Sequence, residues 1–161
     1  MKKIIQKHKN LILALSILFM TGYLSRYHFQ LALIQGDSML PTYHNLELVI
    51  INKHVKQPDY GDVIVFSSDT LSTTLIKRVV AKPNDMVSIE ENILYVNDEP
   101  SSVLPENAQI SYAGTASSPL LLHEDEYFVL GDNYSESKDS RCLDIGPVKY
   151  EDIIGTVMPS R

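Results

Sequence analysis

The chain has 161 residues, 44% hydrophobic and 21% charged, with eight Pro, seven Gly, no Trp and a single Cys. A chain of this length forms one modest domain that buries roughly 70% of its unfolded surface, so neither a metal nor a disulfide framework is needed. One Cys excludes an internal disulfide, and the composition excludes collagen-like, coiled-coil and long disordered chains. The charge is split. Up to Arg26 there are five bases and no acid, whereas the remainder carries nine bases against all 20 acids, a balance of −11. An acidic body has no Lys and Arg footprint for phosphates, which argues against nucleic acid as a partner.

Lys2, Lys3, Lys7 and Lys9 precede an uncharged run of 16 residues, Asn10 to Ser25, dominated by Leu11, Ile12, Leu13, Leu15, Ile17, Leu18 and Phe19. That is just short of the roughly 17 to 25 residues of a spanning helix, and it overlaps the apolar region of a cleavable signal peptide. No small-x-small cleavage site follows, Tyr23 and Tyr27 suit an interfacial belt, and Arg26 can snorkel. These features favour one transmembrane helix over 10–27, with a removed signal peptide or a buried soluble helix as alternatives. The basic tail over 1–9 predicts a cytoplasmic N-terminus, a single pass through the cell membrane, and an extracytoplasmic body over 28–161.

Beyond the anchor the apolar runs are short and rich in Val, Ile, Tyr and Phe: Leu46 to Ile51, Asp62 to Phe66, Thr74 to Ala81, Met86 to Ile89, Ile93 to Val96, Tyr127 to Leu130 and Ile153 to Met158. Each reads as a strand, and turn formers such as Pro58-Asp59-Tyr60-Gly61 and Gly131-Asp132-Asn133 separate them. Only Glu90, Glu91 and Asn92 lie between the fourth and fifth runs, the mark of a hairpin. Pro, Ser and Asn dominate from Glu99 to Pro119, which reads as an exposed excursion. The expected fold is mostly β: an antiparallel barrel or sandwich, with an inserted β excursion at about 86–126, on one N-terminal transmembrane helix.

Two segments hold groups capable of chemistry, and a third could hold them in place. In Gln35-Gly36-Asp37-Ser38-Met39-Leu40-Pro41-Thr42 the Ser38 hydroxyl sits in a turn with its own N–H available to an oxyanion, although a polar turn without chemistry is the simpler reading of this segment alone. In Leu75-Ile76-Lys77-Arg78-Val79-Val80, period-two alternation sends Lys77 and Arg78 to opposite faces, so one base lies among apolar neighbours unless the strand is a solvated edge. The loop Gly131 to Arg141 then gathers Asp132, Asn133, Ser135, Ser137, Asp139 and Arg141.

With these segments the chain resembles the type I signal peptidases. GDSMLPT (36–42), YGDVIVF (60–66), KRVVAKPND (77–85) and GDNYSESKDSR (131–141) occur in the order and at about the separations of that family's sequence boxes. The compact body is similar to the short Gram-positive enzymes. The resemblance implies a membrane-bound serine endopeptidase that removes signal peptides from exported preproteins after Ala-x-Ala and needs no cofactor or metal. Its partners would be those signal peptides, the lipid bilayer and the export translocon. It implies Ser38 as nucleophile and backbone oxyanion donor, Lys77 as general base, Ser137 as the group that hydrogen-bonds the Lys77 amine, and an Asp139–Arg141 ion pair in support. Gly36 stands where some members carry a second oxyanion donor, and Tyr134 stands where Arg often follows the Gly-Asp-Asn.

The chemistry sets a condition. A Lys near its usual pKa of about 10.4 is protonated at pH 7, and lowering it by about 3 units means disfavouring the ammonium by roughly 4 kcal/mol, which burial beside Leu75 and Val79 can supply. Three other readings compete. A sortase-like Cys transpeptidase would use Cys142 with His123 and Arg141 but leaves the four boxes unexplained. A self-cleaving Ser/Lys repressor would need an N-terminal DNA-binding helix pair. An inactive preprotein-binding relative would be expected to lack Ser38 or Lys77. His44, His54 and His123 show no metal-ligand spacing.

Overall fold

The Val- and Ile-rich runs pair into two antiparallel sheets. The computed structural model describes residues 2–54, 57–105 and 108–158, without the side chains of 2–7 and 24–27. The expected roles of Lys2, Lys3, Lys7, Arg26 and Tyr27 therefore lie outside the described residues.

One helix, α1 (Lys2–His28), leads directly into β1 (Phe29–Leu33). Along it Leu11, Ile17, Leu18, Phe19 and Met20 are all exposed. Among the described residues no helix is long and apolar enough to cross a membrane, so the expected transmembrane helix over 10–27 is not shown. The physical reason lies in the run itself. It is 16 residues long, and Asn10, Ser16, Thr21 and Gly22 dilute its hydropathy. The Ser16 and Thr21 hydroxyls turn back to donate to the carbonyls of Leu13 and Leu18.

The larger sheet contains β2 (Leu48–Asn52), β3 (Val63–Ser68), β4 (Thr73–Ala81), β9 (Glu126–Leu130), β10 (Val148–Lys149) and β11 (Ile153–Val157). Its strand order is β1-β2-β11-β3-β4-β9-β10. The first and last strands do not pair with each other, so the sheet is open and the barrel alternative is corrected. The smaller sheet, β7-β6-β5-β8, is made of β5 (Met86–Glu90), β6 (Ile93–Val96), β7 (Glu99–Pro100) and β8 (Leu120–Leu121). It is the expected insertion. The β5–β6 hairpin is tighter than its sequence predicts: Glu90 pairs with Ile93, leaving Glu91 and Asn92 as a two-residue turn, both at positive φ. That geometry matches the strand twist, and Asn tolerates it. Asn97 and Asp98 repeat it between β6 and β7.

Three apolar clusters hold the body together. One, around Val80, Ala81, Leu94, Leu122 and Phe128, joins the two sheets. A second packs Ile34, Met39, Tyr43, Val49 and Ile51 beneath the Ser38 turn. The third packs Ile64, Phe66 and Val79 against Tyr127 and Val129. The exposed excursion expected over Glu99 to Pro119 is corrected in part, because Ile110 and Ala116 are fully buried in the first cluster. Two isolated apolar residues in a polar stretch show no periodicity, so only the tertiary fold exposes their role.

Ile110→Ala should therefore destabilise the body by about 2–5 kcal/mol, the range for emptying a buried aliphatic site. Urea unfolding at constant m-value measures it, and a loss under about 0.5 kcal/mol, the surface value, would put Ile110 outside the core.

Candidate active site

The Ser38 turn is built by its neighbours. Leu40 N–H donates to Asp37 O at 3.2 Å and Tyr43 N–H to Met39 O at 2.9 Å, coiling the chain tightly after the serine. Met39 and Tyr43, exposed by 1% and 5%, sink into the core and leave Ser38 at the rim. Gly36 precedes it at φ +91°, a conformation that favours glycine, and its N–H donates to Asn45 Oδ1 at 2.9 Å.

Lys77 comes from the middle of β4, paired with Ile64 on β3. It is 2% exposed. Its Nζ donates to Ser38 Oγ at 2.7 Å and to Ile76 O at 2.8 Å. Residues 39 positions apart in the chain thus meet within hydrogen-bond distance. Burial pulls the Lys77 amine down from an ordinary 10.5 to about 8, against the opposing pull of the Asp139 and Asp132 carboxylates. The sequence condition on this lysine is met by the environment it anticipated.

The loop after β9 locks both partners in place. Arg78 points away from Lys77 and grips Asp132 with two bonds, Nε to Oδ1 at 2.7 Å and Nη2 to Oδ2 at 2.6 Å, while its Nη1 reaches Gly61 O at 2.8 Å. The Thr42 hydroxyl donates to the same Asp132 carboxylate. Asp139 and Arg141 form the expected ion pair, buried and two-pronged, with Nε to Oδ1 and Nη2 to Oδ2 both at 2.8 Å. Asp139 Oδ2 also accepts the Gly131 N–H at 3.0 Å, and Arg141 Nη2 donates to Tyr134 O at 2.9 Å, so the pair ties off its own loop.

Ser137 departs from its expected role. Lys77 Nζ bonds Ser38 and Ile76 rather than Ser137, and Ser137 Oγ is buried without a hydrogen-bond partner among the described residues. It lies against Gly131: a Cβ on that glycine would fall 2.2 Å from Ser137 Oγ and 2.5 Å from Ser38 O. The hydroxyl is thus beside the nucleophile turn, packed rather than bonded. Of the rival constellation, the Arg141 guanidinium is committed to Asp139 and Tyr134 O.

A groove of about 460 Å³ leads to Ser38 and Lys77. Its walls are Gln30 and residues 32–35 of β1 and the turn after it on one side and residues 73–77 of β4 on the other, with Val49, Ile51, Val65 and Ile154 among its lining. The β4–β9 pairing reaches Leu130 only at Arg78, so residues 73–77 have no β9 partner beside the groove. Sequence reading missed Asp132, Asn133, Thr42 and Asn45 as site residues. The first three lie within the recognised boxes, yet nothing local shows which partners they take.

The sequence profile of the family described as "Signal peptidase, peptidase S26" matches residues 7–160. The chain belongs to this family. Signal peptidase I P of Bacillus subtilis subsp. natto is 31% identical over 157 residues, covering 91% of this chain and 83% of that one. A signal peptidase I of Bacillus amyloliquefaciens is 30% identical over 158 residues, covering 92% and 80%. The crystal structure of a signal peptidase I from Enterococcus faecalis V583 superposes with a TM-score of 0.53 at 28% identity, covering 65% of this chain and 99% of that one. The chain is thus a peptidase of the signal peptidase family, and the Ser38–Lys77 contact lies on its groove.

Two outcomes follow from this packing. Gly131→Ala should drive the Ser38 backbone aside and lower peptide cleavage by about 100-fold, the usual effect of misplacing a reacting group by about 1 Å, and near-normal turnover would contradict the close approach. Lys77→Met should be more stable than wild type at pH 7. The folded-state pKa of about 8 lies below the unfolded 10.5, so from about 8 to 10.5 the unfolded chain binds more protons and wild-type stability rises with pH. Below about 8 the penalty is fully present, on the order of 3 kcal/mol. Urea unfolding at pH 7 and pH 10 should show the Met variant's advantage shrinking at the higher pH, and a pH-independent gap would contradict a buried, displaced amine.

Proposed function

We propose that this chain is a serine endopeptidase that cuts signal peptides from exported preproteins after small residues, with Ser38 as nucleophile and Lys77 as general base. The observation that carries the reading is the 2.7 Å contact between Ser38 Oγ and a buried Lys77 Nζ at the end of an open groove. An amine with a pKa of about 8 is neutral in a useful fraction of molecules near neutrality.

In the neutral form the Lys77 lone pair takes the Ser38 proton as Oγ attacks the scissile carbonyl. The oxyanion that forms is received by the Ser38 N–H. Collapse returns the proton from Nζ to the departing amine and leaves an acyl ester on Oγ. A water that gives its proton to Lys77 then attacks the ester, and the carboxylate leaves as Oγ is reprotonated. No step calls for a metal or an organic cofactor.

The groove supports the choice of substrate. An extended peptide can use the unpaired edge of residues 73–77 as a new strand, and its alternate side chains then turn toward one wall. The branched lining of Val49, Ile51, Val65, Ile76 and Ile154 narrows that wall, which favours small residues such as Ala one and three positions before the cut.

Contact with a lipid surface fits the same geometry. Phe29, Leu31 and Leu33 project from one face of β1, register places Leu31 opposite Ile50 and Leu33 opposite Leu48, and all five are exposed. Such a contiguous apolar strip beside the groove suits insertion among lipid headgroups, where preprotein signal segments also reside.

Ser38→Ala and Lys77→Ala should each abolish cleavage of an Ala-x-Ala preprotein by the purified protein while the far-ultraviolet circular dichroism stays unchanged. Retained turnover in either variant would refute the dyad. In the wild type kcat/KM should rise with pH along a limb centred at about 8, and a flat profile between pH 6 and 9 would count against a lysine base.

A further inference from the structure

The oxyanion donor assigned above is a single backbone N–H, and its peptide unit has two ends. The unit that carries the Ser38 N–H also carries the Asp37 carbonyl, so whatever holds that carbonyl sets the direction of the N–H. That carbonyl accepts two hydrogen bonds, one from Leu40 N–H within the turn at 3.2 Å and one from outside it, from Asn133 Nδ2 at 3.1 Å. The Asn133 backbone N–H donates to Ser38 O, the carbonyl of the following unit, at 3.0 Å. One residue of a distant loop thus holds consecutive peptide units on both sides of the Ser38 Cα. The amide itself is oriented, because Ser135 Oγ donates to Asn133 Oδ1 at 3.2 Å and so directs Nδ2 toward Asp37. Its neighbour Asp132 is held by Arg78, adjacent to Lys77, which ties the same clamp to the base strand.

We propose that Asn133 is a positioning residue that aligns the oxyanion-binding N–H of Ser38 by holding the Asp37 carbonyl of the same peptide unit. Two physical effects act together. Fixing the peptide plane removes the reorganisation that the N–H would otherwise undergo as negative charge develops. A hydrogen bond at the carbonyl end of an amide also polarises it and strengthens its N–H as a donor, as happens along chains of bonded peptides. The effect matters more here because the site two residues before the nucleophile adds no donor: Gly36 has no side chain, and its N–H is given to Asn45.

The inference rests on the Ser38/Lys77 reading, so the test carries variants of both. Asn133→Ala and Asn133→Asp are compared with wild type and Ser38→Ala on an Ala-x-Ala preprotein. The Asp variant keeps the shape and the acceptor for Ser135 but loses the donor, and it decides the matter if the Ala variant does not fold. We expect kcat to fall about 10- to 100-fold with KM nearly unchanged, short of the roughly 10²–10³ that outright loss of an oxyanion donor costs. Affinity for a peptide boronate, whose tetrahedral adduct places an oxygen in the oxyanion position, should fall in parallel. Affinity for the same peptide with a reduced scissile bond, which has no carbonyl oxygen, should not change. The acid limb of the pH profile should stay in place in Asn133→Ala, since that variant adds no charge near Lys77, whereas the new carboxylate of Asn133→Asp moves it to higher pH as Asp132 and Asp139 already do. Wild-type kcat in both Asn133 variants alongside an inactive Ser38→Ala would overturn the positioning role and leave the dyad standing. Equal loss of affinity for both peptides, or a displaced acid limb in Asn133→Ala, would make Asn133 part of the scaffold and overturn it too. An active Ser38→Ala would overturn both readings.

Discussion

An amine that is nearly out of reach of water, yet within 2.7 Å of a serine hydroxyl, is the constraint on which the remaining features depend. Lysine does not go inside a protein willingly: its ammonium loses hydration, and the fold carries that cost whenever the proton is on. The position is tolerable because Lys77 lies on a nine-residue strand paired with β3 at Lys77 itself and with β9 from the next residue onward, which limits the freedom of the backbone to swing the side chain into solvent. Two donated hydrogen bonds, to Ser38 Oγ and Ile76 O, partly replace the water that the ammonium has lost. Stability is given up at one residue so that the residue can change its proton at an accessible pH.

The rest of the site is a set of locks that keep two unrelated chain segments in register. Asp132 binds Arg78 beside Lys77 and Thr42 four residues beyond Ser38, and so ties the two segments together. Asp139 and Arg141 bind each other inside their loop and, through Gly131 N–H, hold the loop's first residue against Ser38. The Asp139–Arg141 pair is buried and the Arg78–Asp132 pair half-buried, so their value lies in specifying one geometry more than in stability. Gly131 completes the arrangement by its lack of a side chain, since the space a Cβ would need is filled by Ser38 O and the Ser137 hydroxyl.

Much of the fold was legible along the chain. Strand cores such as Thr74 to Ala81 and Tyr127 to Leu130 appear within a residue of where apolar β-branched runs predict them, because a half-buried pleat demands those side chains. The short strands β7, β8 and β10, of two residues each, were not legible, since two residues have no period. β1 was missed for a different reason: its exposed Phe29, Leu31 and Leu33 are more apolar than Gln30 and Ala32 between them, the reverse of the usual apolar-in alternation.

What the sequence by itself determined were identities and faces: a serine in a tight turn, Lys77 and Arg78 on opposite sides of one strand, and a loop dense in hydrogen-bonding groups. Those follow from local geometry, in which neighbours along the chain set the direction of each side chain. Tertiary structure alone decided the pairings. That Asp132 serves Arg78 and that Asn133 grips the peptide before Ser38 depend on contacts between residues tens of positions apart, and that the Ser137 hydroxyl packs against Gly131 depends on how their own loop closes. Such contacts depend on how the strands are ordered and how the loops close over them, and hydrogen-bonding groups on a loop carry no local sign of which distant partner will meet them.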